Sequence, residues 1–421
     1  MRAPSNRRVF VIGYGAATPL GMRFATTFER SLAGQAGFRR VTRCRVDSAC
    51  DVVGEIPDWD LGQLDFATEK EAYNWNAAVV LMTMAVCQEA LRDARLEMTP
   101  AVAPRTACLM GSALNGHDAY RAAVHSLAEH GPLKVSPYLL PNLCGNLPGG
   151  KAGMLLGFTG VSFSPQGACA SGNHAIGLAA RLIRDGDLDF ALVGGADAAI
   201  LPEIIHGFDN MGATIKVKPG DRACDDPAQA SRPFSRDRKG FVLSEGAGAL
   251  VLAAEECVRA HGLEARAEVL GVGWTSDANH FTKPNPPTIQ RAMREALADA
   301  GLQPGDVQYV NAHGTSTPRG DACEVACLRE VFGPALGRIP VSSNKSQLGH
   351  TLGASAAIEA ALTIEGMRRG VLLPTINYLP DPELGDLDVV PNQARRARVE
   401  IALSNSFGFG GTNCCVLFRA T

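Results

Sequence analysis

The stretch that decides the fold is SPQGACASGNH at residues 164–174, followed by the apolar run AIGLAARLI at residues 175–183. Residues 155–163 ahead of it are apolar and predict a buried strand, whereas residues 175–183 continue at helical spacing. Cys169 is therefore expected where a strand ends and a helix begins. Unpaired N–H groups and the positive end of the helix dipole favour a thiolate there. The alternative is a buried structural cysteine.

The composition is that of a globular chain with a large core. Its 421 residues, 46% of them hydrophobic, are enough for two or three domains. The net charge of −3 excludes the basic footprint of a protein that binds nucleic acid or an acidic membrane surface. Twelve cysteines without a CxxC pair favour a reducing, cytoplasmic setting over a disulfide scaffold.

Neither a membrane span nor an export signal is expected. The sequence has no apolar run of about 18 residues, the length that a spanning helix needs. Arginines ahead of the apolar residues 9–20 superficially resemble a signal peptide, but the glycines and Pro19 in that segment favour a strand and a turn.

Hydrophobic periodicity predicts alternating strands and helices in the first half of the chain. Helices are predicted at residues 25–32, 77–94, 117–130 and 175–183. Strands are predicted at residues 9–12, 107–112, 190–197 and 241–254. Residues 51–66 and 211–240 are predicted to be loops, and residues 138–153 a loop leading into a helix.

The second half of the chain echoes the first. Residues 12–18 match residues 270–276, and the stretch from Cys169 can be laid over the stretch from His350. This spacing indicates one duplicated α/β domain. Cys169 and His350 would then begin equivalent helices and face one crevice, since active sites gather at that end of the strands. The alternative is chance similarity between Ala- and Gly-rich helix starts.

Three clusters of reactive and small residues follow short apolar strands in the second half. His313 follows the first strand, and Lys345 and His350 follow the second. The third cluster is a Gly-rich turn at residues 405–413, after a strand predicted at residues 399–403. Together with Cys169, these side chains are expected to share one rim of the fold.

One cysteine with two histidines and no orienting carboxylate is not a protease arrangement. Two neutral imidazoles are suited to donating hydrogen bonds to a thioester carbonyl as it becomes an enolate. A thiolate that accepts an acyl group and passes it to that enolate would form a carbon–carbon bond. Backbone N–H groups of Cys169 and of the Gly-rich turn could form an oxyanion hole.

Four segments in order resemble the motifs of the β-ketoacyl-[acyl-carrier-protein] synthases: ACASG (168–172), HGTST (313–317), KSQLGH (345–350) and NSFGFGGTN (405–413). The resemblance is closest to the type II elongating class and to the ketosynthases of type II polyketide systems. It implies the thiolase fold, an α/β fold with two βαβαβαββ halves in a five-layered αβαβα arrangement. The halves are placed at residues 1–255 and 256–421.

The resemblance also implies the roles of the reactive residues. Cys169 would take the acyl chain from the phosphopantetheine of a carrier protein. His313 and His350 would bind the malonyl thioester and promote its decarboxylation. Lys345 would hold the histidine pair in place, with Glu359 as its ion partner.

Five further positions are implied to contact the substrate. Phe409 resembles a gate residue whose N–H completes the oxyanion hole. Thr315 and Thr317 resemble hydroxyls that hold the pantetheine arm. Leu114 and Phe407 are expected to line the acyl pocket.

The implied function is decarboxylative Claisen condensation of a Cys-bound acyl chain with malonyl-carrier protein, in fatty acid or type II polyketide or polyene biosynthesis. The implied partners are an acyl carrier protein and a second subunit, either an identical copy or a chain-length factor. No bound cofactor, metal, nucleic acid or membrane is expected.

The main alternative is a catalytically silent subunit like the chain-length factors, which typically lack the nucleophilic cysteine. Thiolases use a second cysteine as base, and synthases of type III use Cys-His-Asn. His350 after Lys345 separates this chain from both.

Two weaker motifs point elsewhere. GNLPGGK at residues 145–151 fits a phosphate-binding loop, but Ala152 replaces the hydroxyl that would bind Mg²⁺. Cys323 and Cys327 are four residues apart on a predicted helix and could face one metal ion, but they lack a partner pair of ligands.

Overall fold

The computed structural model describes residues 7–57 and 74–421. The first-half strands are β1 (Val9–Ala17), β2 (Arg39–Arg40), β3 (Val52–Val53), β4 (Thr106–Gly111), β5 (Ser162–Phe163), β6 (Phe190–Asp197) and β7 (Gly246–Ala254). The second-half strands are β8 (Ala267–Ser276), β9 (Tyr309–Asn311), β10 (Val341–Ser342), β11 (Val371–Leu372), β12 (Arg395–Arg396), β13 (Ile401–Gly408) and β14 (Thr412–Ala420).

The α-helices of the described residues also follow the two halves. Those of the first are α1 (Phe24–Leu32), α2 (Ala78–Ala94), α3 (His117–His130), α4 (Leu139–Leu143), α5 (Leu147–Leu156), α6 (Ser171–Arg184), α7 (Pro202–Asn210) and α8 (Arg222–Asp225). Then come α9 (Glu255–Ala260), α10 (Pro286–Ala300), α11 (Pro318–Phe332), α12 (Lys345–Leu348) and α13 (Ser355–Arg369). In these stretches of chain, no helix has both the length and the apolar character of a membrane span.

The two halves arrange their strands in the same order. From the edge inward, the first half runs β5-β4-β6-β7-β1 and the second runs β10-β9-β13-β14-β8. In each half the edge strand pairs in parallel with its neighbour. The halves meet where Val11 of β1 pairs with Ala267 of β8. This equivalence confirms the predicted duplication. The boundary at residue 255, where α9 begins, stays a prediction.

The helices form three layers around the strands. The outer face of the first half is covered by α2 and α5, and that of the second half by α10 and α11. Between the halves lie α6 and α13. A Cβ at Gly172 in α6 would lie 2.7 Å from the Ala357 nitrogen in α13, so only glycine permits this close approach. The order αβαβα is the predicted one, and it brings the N-termini of both central helices together.

Most predicted elements are confirmed, including the strand at residues 190–197 and the helices at residues 25–32, 77–94 and 117–130. The buried strand predicted at residues 155–163 is wrong. That segment contains the end of α5 and the exposed strand β5. A short apolar run does not distinguish a strand from a buried helix, and here Ala152 and Gly153 pack α5 against the core.

Other predicted boundaries shift. The loop predicted at residues 51–66 contains β3, and its residues 58–66 lie outside the described part. Residues 138–153 form α4 and most of α5, and short helices interrupt residues 211–240. The strand predicted at residues 241–254 begins at Gly246. The strand predicted at residues 399–403 is β13, so the Gly-rich turn is confined to residues 409–411.

The internal repeat has a different register from the one predicted. Ala168 has φ +48° and begins a 3-10 turn that leads into α6, while Leu352 has φ +50° and begins the same turn ahead of α13. Cys169 therefore corresponds to Gly353 and not to His350. His350 precedes its turn and approaches Cys169 from the other half of the molecule.

Candidate active site

A tight turn presents Cys169 at the start of α6. Ala168 adopts the left-handed conformation, which costs an alanine about 1–2 kcal/mol. Ser171 holds the turn, because its Oγ accepts a hydrogen bond from the Gly167 N–H at 3.0 Å and donates one to the Ala168 carbonyl at 2.7 Å. The Cys169 side chain is thereby buried at the wall of a cleft.

The Cys169 thiol is neutral in the resting protein. Burial raises its pKa to about 11, although the Phe409 N–H and the Lys345 charge oppose this effect. Loss of hydration therefore outweighs the helix dipole and the nearby charges, which favour a thiolate at this position. The Cys169 Sγ lies 3.1 Å from His350 Nε2, so a hydrogen-bonding partner for a transient thiolate is in place.

His350 is buried, and hydroxyl groups on the side away from Cys169 set the orientation of its ring. Its Nδ1 lies 3.0 Å from Ser355 Oγ, which lies 3.0 Å from Thr351 Oγ1. When the Ser355 hydroxyl donates to Nδ1, Nε2 carries the hydrogen and directs it at the Cys169 sulfur. Burial and the Lys345 charge hold the pKa of His350 well below its usual value, so the imidazole is neutral at pH 7.

His313 meets the His350 ring edge to face, with ring centres 5.5 Å apart. Its Nδ1 is buried without a hydrogen-bond partner among the described residues, which leaves Nε2 as the nitrogen that faces the cleft. Burial lowers the pKa of His313 well below its usual value, and the Lys345 charge adds to the effect. Both imidazoles are thus neutral hydrogen-bond donors.

Glu324 positions His313, a role that the sequence analysis missed. Its buried carboxylate accepts hydrogen bonds from the backbone N–H groups of His313 at 2.9 Å and Gly314 at 2.8 Å, and from Asn405 Nδ2 at 3.2 Å. Glu324 lies on α11, eleven residues after His313. A glutamate at that distance on a helix carries no local signal, so only the fold, which places α11 beside the loop after β9, reveals the contact.

Glu324→Ala is expected to slow decarboxylation by on the order of tenfold or more, because His313 loses the anchor of its backbone. Each buried N–H left unpaired also costs about 1–3 kcal/mol of folding stability. Glu324→Gln keeps one acceptor oxygen, so its decarboxylation rate and its stability should lie between those of Glu324→Ala and wild type. Release of carbon dioxide and urea unfolding measure the two effects. The control is Glu330→Ala on the exposed face of α11; normal decarboxylation in folded Glu324→Ala would contradict the role.

Lys345 and Glu359 form a buried ion pair behind the histidines. The Lys345 Nζ lies 2.5 Å from Glu359 Oε1, and both side chains are almost fully buried. Burial raises the pKa of Glu359 to about 7, against the opposing Lys345 charge. Lys345 in turn lowers the pKa of His313 and of His350. It therefore disfavours protonation of the two imidazoles.

Two backbone N–H groups converge on the Cys169 sulfur, those of Phe409 and of Cys169 itself. Phe409 directly follows β13, and its ring centre lies 6.3 Å from that of Phe208. The Thr412 hydroxyl donates to the Gly167 carbonyl at 2.8 Å, tying the Phe409 turn to the Cys169 turn. Such a pair of donors suits an oxyanion that forms beside the sulfur.

These groups open into one cleft of about 1000 Å³. At one side Thr315 Oγ1 and Thr317 Oγ1 lie 3.0 Å apart, next to exposed residues. At the other side the wall is apolar and includes Leu114, Phe241 and Leu352. The predicted site residues that line the cleft are Leu114, Cys169, His313, Thr315, Thr317, His350, Phe407 and Phe409.

The two weaker motifs gain no support. Lys151 lies in α5 with its Nζ 5.0 Å from the centre of the Trp75 ring, so the segment is not a phosphate-binding loop. Cys323 and Cys327 lie on α11 as predicted. The described residues contain no group of three or more His, Cys, Asp or Glu side chains that could hold a metal ion.

The sequence matches the profile of the beta-ketoacyl synthase N-terminal domain over residues 6–257 and of the C-terminal domain over residues 266–379. The chain belongs to the beta-ketoacyl synthase family. Beta-ketoacyl synthases are condensing acyltransferases, so the predicted class of enzyme is confirmed. The predicted roles of individual residues stay proposals.

Relatives of this beta-ketoacyl synthase cover nearly the whole chain. The 3-oxoacyl-[acyl-carrier-protein] synthase 2 of Staphylococcus aureus (strain COL) is 38% identical over 418 residues, 98% of each chain. The ishigamide ketosynthase/chain length factor has a TM-score of 0.89 and 30% identity, covering 99% of each chain. A type II PKS ketosynthase in complex with its acyl-carrier protein, AntDE:AntF, has a TM-score of 0.89 and 26% identity, covering 99% of this chain and 100% of that one. These likenesses and the duplicated topology confirm the thiolase fold.

Proposed function

We propose that this chain condenses a Cys169-bound acyl group with malonyl-carrier protein, with loss of carbon dioxide. The observation that carries the proposal is the 3.1 Å contact between Cys169 Sγ and His350 Nε2, beside His313 in the wall of one cleft. A nucleophile and two neutral donors within reach of each other suit acyl transfer followed by enolate formation.

The first half-reaction loads the acyl group. The Cys169 sulfur attacks the thioester carbonyl of an acyl-phosphopantetheine arm, while His350 Nε2–H stabilises the developing thiolate. The N–H groups of Cys169 and Phe409 hold the oxyanion. As the carbonyl re-forms, the bond to the pantetheine sulfur breaks, and that sulfur leaves with the proton of the Cys169 thiol.

The second half-reaction forms the carbon–carbon bond. Nε2–H groups of His313 and His350 bind the malonyl thioester carbonyl, and cleavage of the carboxylate leaves an enolate with its charge on that oxygen. The enolate carbon attacks the Cys169 thioester, and the oxyanion again forms at the same two N–H groups. Collapse releases the β-ketoacyl product, and the Cys169 sulfur takes up one proton.

The alternative of a catalytically silent subunit is disfavoured. A silent subunit needs neither the nucleophile nor a buried Lys345–Glu359 pair beside two neutral histidines. Here Cys169, both histidines and the ion pair are assembled within one site.

The acyl chain is proposed to extend along the apolar wall that contains Leu114. The backbone N–H of Leu114 donates to the buried Asp197 carboxylate at 2.9 Å, and so does that of Ala113. Gly353 N–H donates to the same carboxylate at 2.7 Å. This shared anchor makes the Leu114 wall rigid, so its side chain is expected to limit acyl length.

Leu114→Trp is expected to shorten the acyl chains accepted by Cys169. Overfilling a rigid apolar wall costs about 1–3 kcal/mol, so acylation by the longest accepted chain should slow by about tenfold or more. Intact-mass measurement of Cys169 acylation with a series of chain lengths checks this. Ala298→Trp at an exposed position of α10 is the control, and an unchanged length profile in Leu114→Trp would contradict the assignment.

The proposed partners are an acyl carrier protein, which brings the substrates, and a second ketosynthase chain. The edge strand β5 exposes Phe163, and further exposed apolar side chains lie on the chain segment that leads to it, from α3 to residue 161. We define this set as the β5 patch: Tyr120, Val124, Leu127, Leu133, Leu140, Met154, Val161 and Phe163. Apolar patches beside an open strand edge are typical of subunit interfaces.

The double variant Leu133→Glu with Phe163→Asp is expected to convert a dimer into monomers, because two charges would be buried at the interface. Analytical ultracentrifugation measures the change. Arg398→Glu, an exposed substitution in the second half, is the control. A wild-type protein that is monomeric at high concentration would contradict the interface; an unchanged dimer in the double variant would do so as well.

Intact-mass analysis tests the function directly. The protein is exposed to a panel of acyl-carrier proteins, and one acyl group is expected on Cys169. With malonyl-carrier protein added, that mass should disappear as the β-ketoacyl-carrier product forms. Failure of every acyl-carrier protein to load Cys169 would overturn the proposal. We also propose that the reaction uses no cofactor beyond the phosphopantetheine of the carrier protein. The proposed location of the protein is the cytoplasm.

A further inference from the structure

Three cationic side chains line the substrate cleft where it meets solvent. Lys239, Lys283 and Arg319 all belong to its lining. Lys239 is half-exposed, and Lys283 and Arg319 are exposed, so all three lie at the opening of the cleft and not in its depth. Lys283 precedes α10, which packs along α11, the helix that carries Arg319. We call these three side chains the cationic entrance.

Two members of the cationic entrance lie beside residues 315–317, which carry the hydroxyls proposed to hold the pantetheine arm. The Gly240 N–H, next to Lys239, donates to the Ser316 carbonyl at 3.0 Å. Arg319 lies two residues beyond this segment, in the first turn of α11. An arm that contacts residues 315–317 therefore passes these two cations as it leaves the cleft.

A buried carboxylate holds Lys239 in place. The Lys239 Nζ lies 2.6 Å from Asp221 Oδ2, and the almost fully buried Asp221 also pairs with Arg232 at 2.7 Å. An ammonium group has three N–H donors, so two of those on Lys239 remain for a ligand. Asp221 thus fixes the position of the Lys239 ammonium while leaving it able to bind an anion.

The accessible charge at the opening of the cleft is positive. Lys283 and Arg319 form no ion pair with any residue that the structure describes. The two carboxylates in the cleft lining, Asp277 and Glu324, are buried. Asp277 accepts a hydrogen bond from Asn413 Nδ2 at 2.7 Å, and Glu324 accepts the backbone hydrogen bonds described above. Neither carboxylate is therefore free to neutralise the cations.

We propose that the cationic entrance binds the phosphate of a 4′-phosphopantetheine thioester while its acyl group reaches Cys169. This inference rests on the proposed function, which places the pantetheine arm in the cleft. The arm is uncharged between its thioester and its phosphate, so the phosphate is the group that suits three cations. Lysine and arginine bind phosphate through charge-assisted hydrogen bonds.

The same phosphate is present in two kinds of acyl donor. A carrier protein and coenzyme A both carry their pantetheine arm on a phosphate ester. A site that recognises the phosphate itself contributes to binding of both donors, whereas a site that recognises the surface of a carrier protein contributes only to one. The two donors therefore distinguish phosphate recognition from recognition of a protein surface.

The first test measures binding to the full-length Cys169→Ala protein by isothermal titration calorimetry. 4′-Phosphopantetheine should bind at least about tenfold more tightly than pantetheine, the size expected of hydrogen bonds to a charged group. The entrance variant, which adds Lys239→Ala, Lys283→Ala and Arg319→Ala, should lose this difference. The difference should also shrink at about 1 M salt, because salt screens exposed charges.

Two controls accompany the binding test. In the entrance variant Asp221 keeps its ion pair with Arg232, so the fold should survive, and thermal unfolding confirms this. The matched control replaces three exposed cations outside the cleft lining with alanine: Lys218, Arg338 and Arg396. It removes as many positive charges and should keep the preference for phosphate. Equal binding of the two probes, or an unchanged preference in the entrance variant, would overturn the proposal.

The second test measures acylation of Cys169 by intact mass, with acyl-carrier protein and with acyl-coenzyme A as donors. With Cys169 intact, the three entrance substitutions should slow acylation by both donors about tenfold or more. Slower acylation with the carrier protein alone would mean that the cations contact the protein surface, and would overturn the proposal. If 4′-phosphopantetheine binds as expected but no donor acylates Cys169, the proposed function fails while the phosphate site stands. Acylation at the same rate with and without the three cations would have the opposite meaning.

Discussion

Cys169→Ala is expected to abolish condensation while the release of carbon dioxide from malonyl-carrier protein remains measurable. Without a sulfur there is no acyl-enzyme, so product formation should fall by more than about 10⁴-fold. The two imidazoles and the cleft remain, because removing a neutral buried thiol leaves no unpaired charge. Chromatography of β-ketoacyl products and radiometric detection of carbon dioxide measure the two activities separately.

The control for Cys169→Ala is Cys144→Ala, which removes an exposed thiol outside the cleft lining. It should retain both activities. Condensation retained by Cys169→Ala would exclude Cys169 as the acyl carrier. Loss of both activities in a variant with an unchanged unfolding curve would mean that decarboxylation also needs the sulfur, which would contradict the division of roles.

His313→Ala and His350→Ala are each expected to reduce decarboxylation by about 10²–10³-fold, the usual cost of one donor to a developing oxyanion. His350→Ala should also slow acylation of Cys169, since its Nε2 contacts the sulfur at 3.1 Å. His125→Ala on the exposed face of α3 serves as the control. Normal release of carbon dioxide in both active-site variants would exclude the proposed roles.

The pH profile distinguishes these buried histidines from ordinary ones. The pKa values of His313 and His350 lie well below the usual value. Both rings therefore stay neutral as the pH falls through about 6.5, where an ordinary histidine becomes protonated. Because the pKa of Glu359 lies at about 7, the profile is measured in Cys169→Ala with Glu359→Gln, where decarboxylation should be level between about pH 6 and 7. A midpoint near 6.5 in that variant would contradict the lowered histidine pKa values.

The lowered pKa values of His313 and His350 also predict that the folded protein loses stability as the pH falls. The unfolded chain protonates these histidines at about pH 6.5, whereas the folded chain protonates them only at lower pH. Below about pH 6.5 the unfolded state therefore binds more protons than the folded state. The free energy of unfolding that depends on each histidine is fully present above about pH 6.5 and falls as the pH drops below it. Urea unfolding of wild type and His313→Ala at pH 5 and pH 7.5 measures this difference.

How much the sequence predicts depends on whether the signal is local. Residues 190–197 form the predicted strand because a run of small and apolar residues between loops is a local pattern. Residues 155–163 carry a similar apolar pattern but contain only the end of α5 and the exposed strand β5, because α5 gains its burial from packing on α2 and β4. Periodicity over nine residues does not include that packing.

The residues of the candidate site also fall into those that local sequence reveals and those that only the fold reveals. Cys169, His313, Lys345 and His350 stand in short motifs after strands, so their identity could be read from the chain. Glu324 could not, since its contact depends on how α11 lies beside the loop that follows β9. The repeat register was misjudged for a related reason: the backbone turn at Ala168 and Leu352, not the residue identities, defines the equivalence.

The sequence by itself determined the fold class, the duplicated architecture and the candidate residues for the chemistry, because these depend on periodicity and short motifs. The tertiary structure alone decided the protonation states. Burial in the site makes Cys169 a neutral thiol and both histidines neutral donors, although the local turn favours a thiolate. Desolvation is a property of everything packed around a group, so the residues beside Cys169 in the chain could not reveal it.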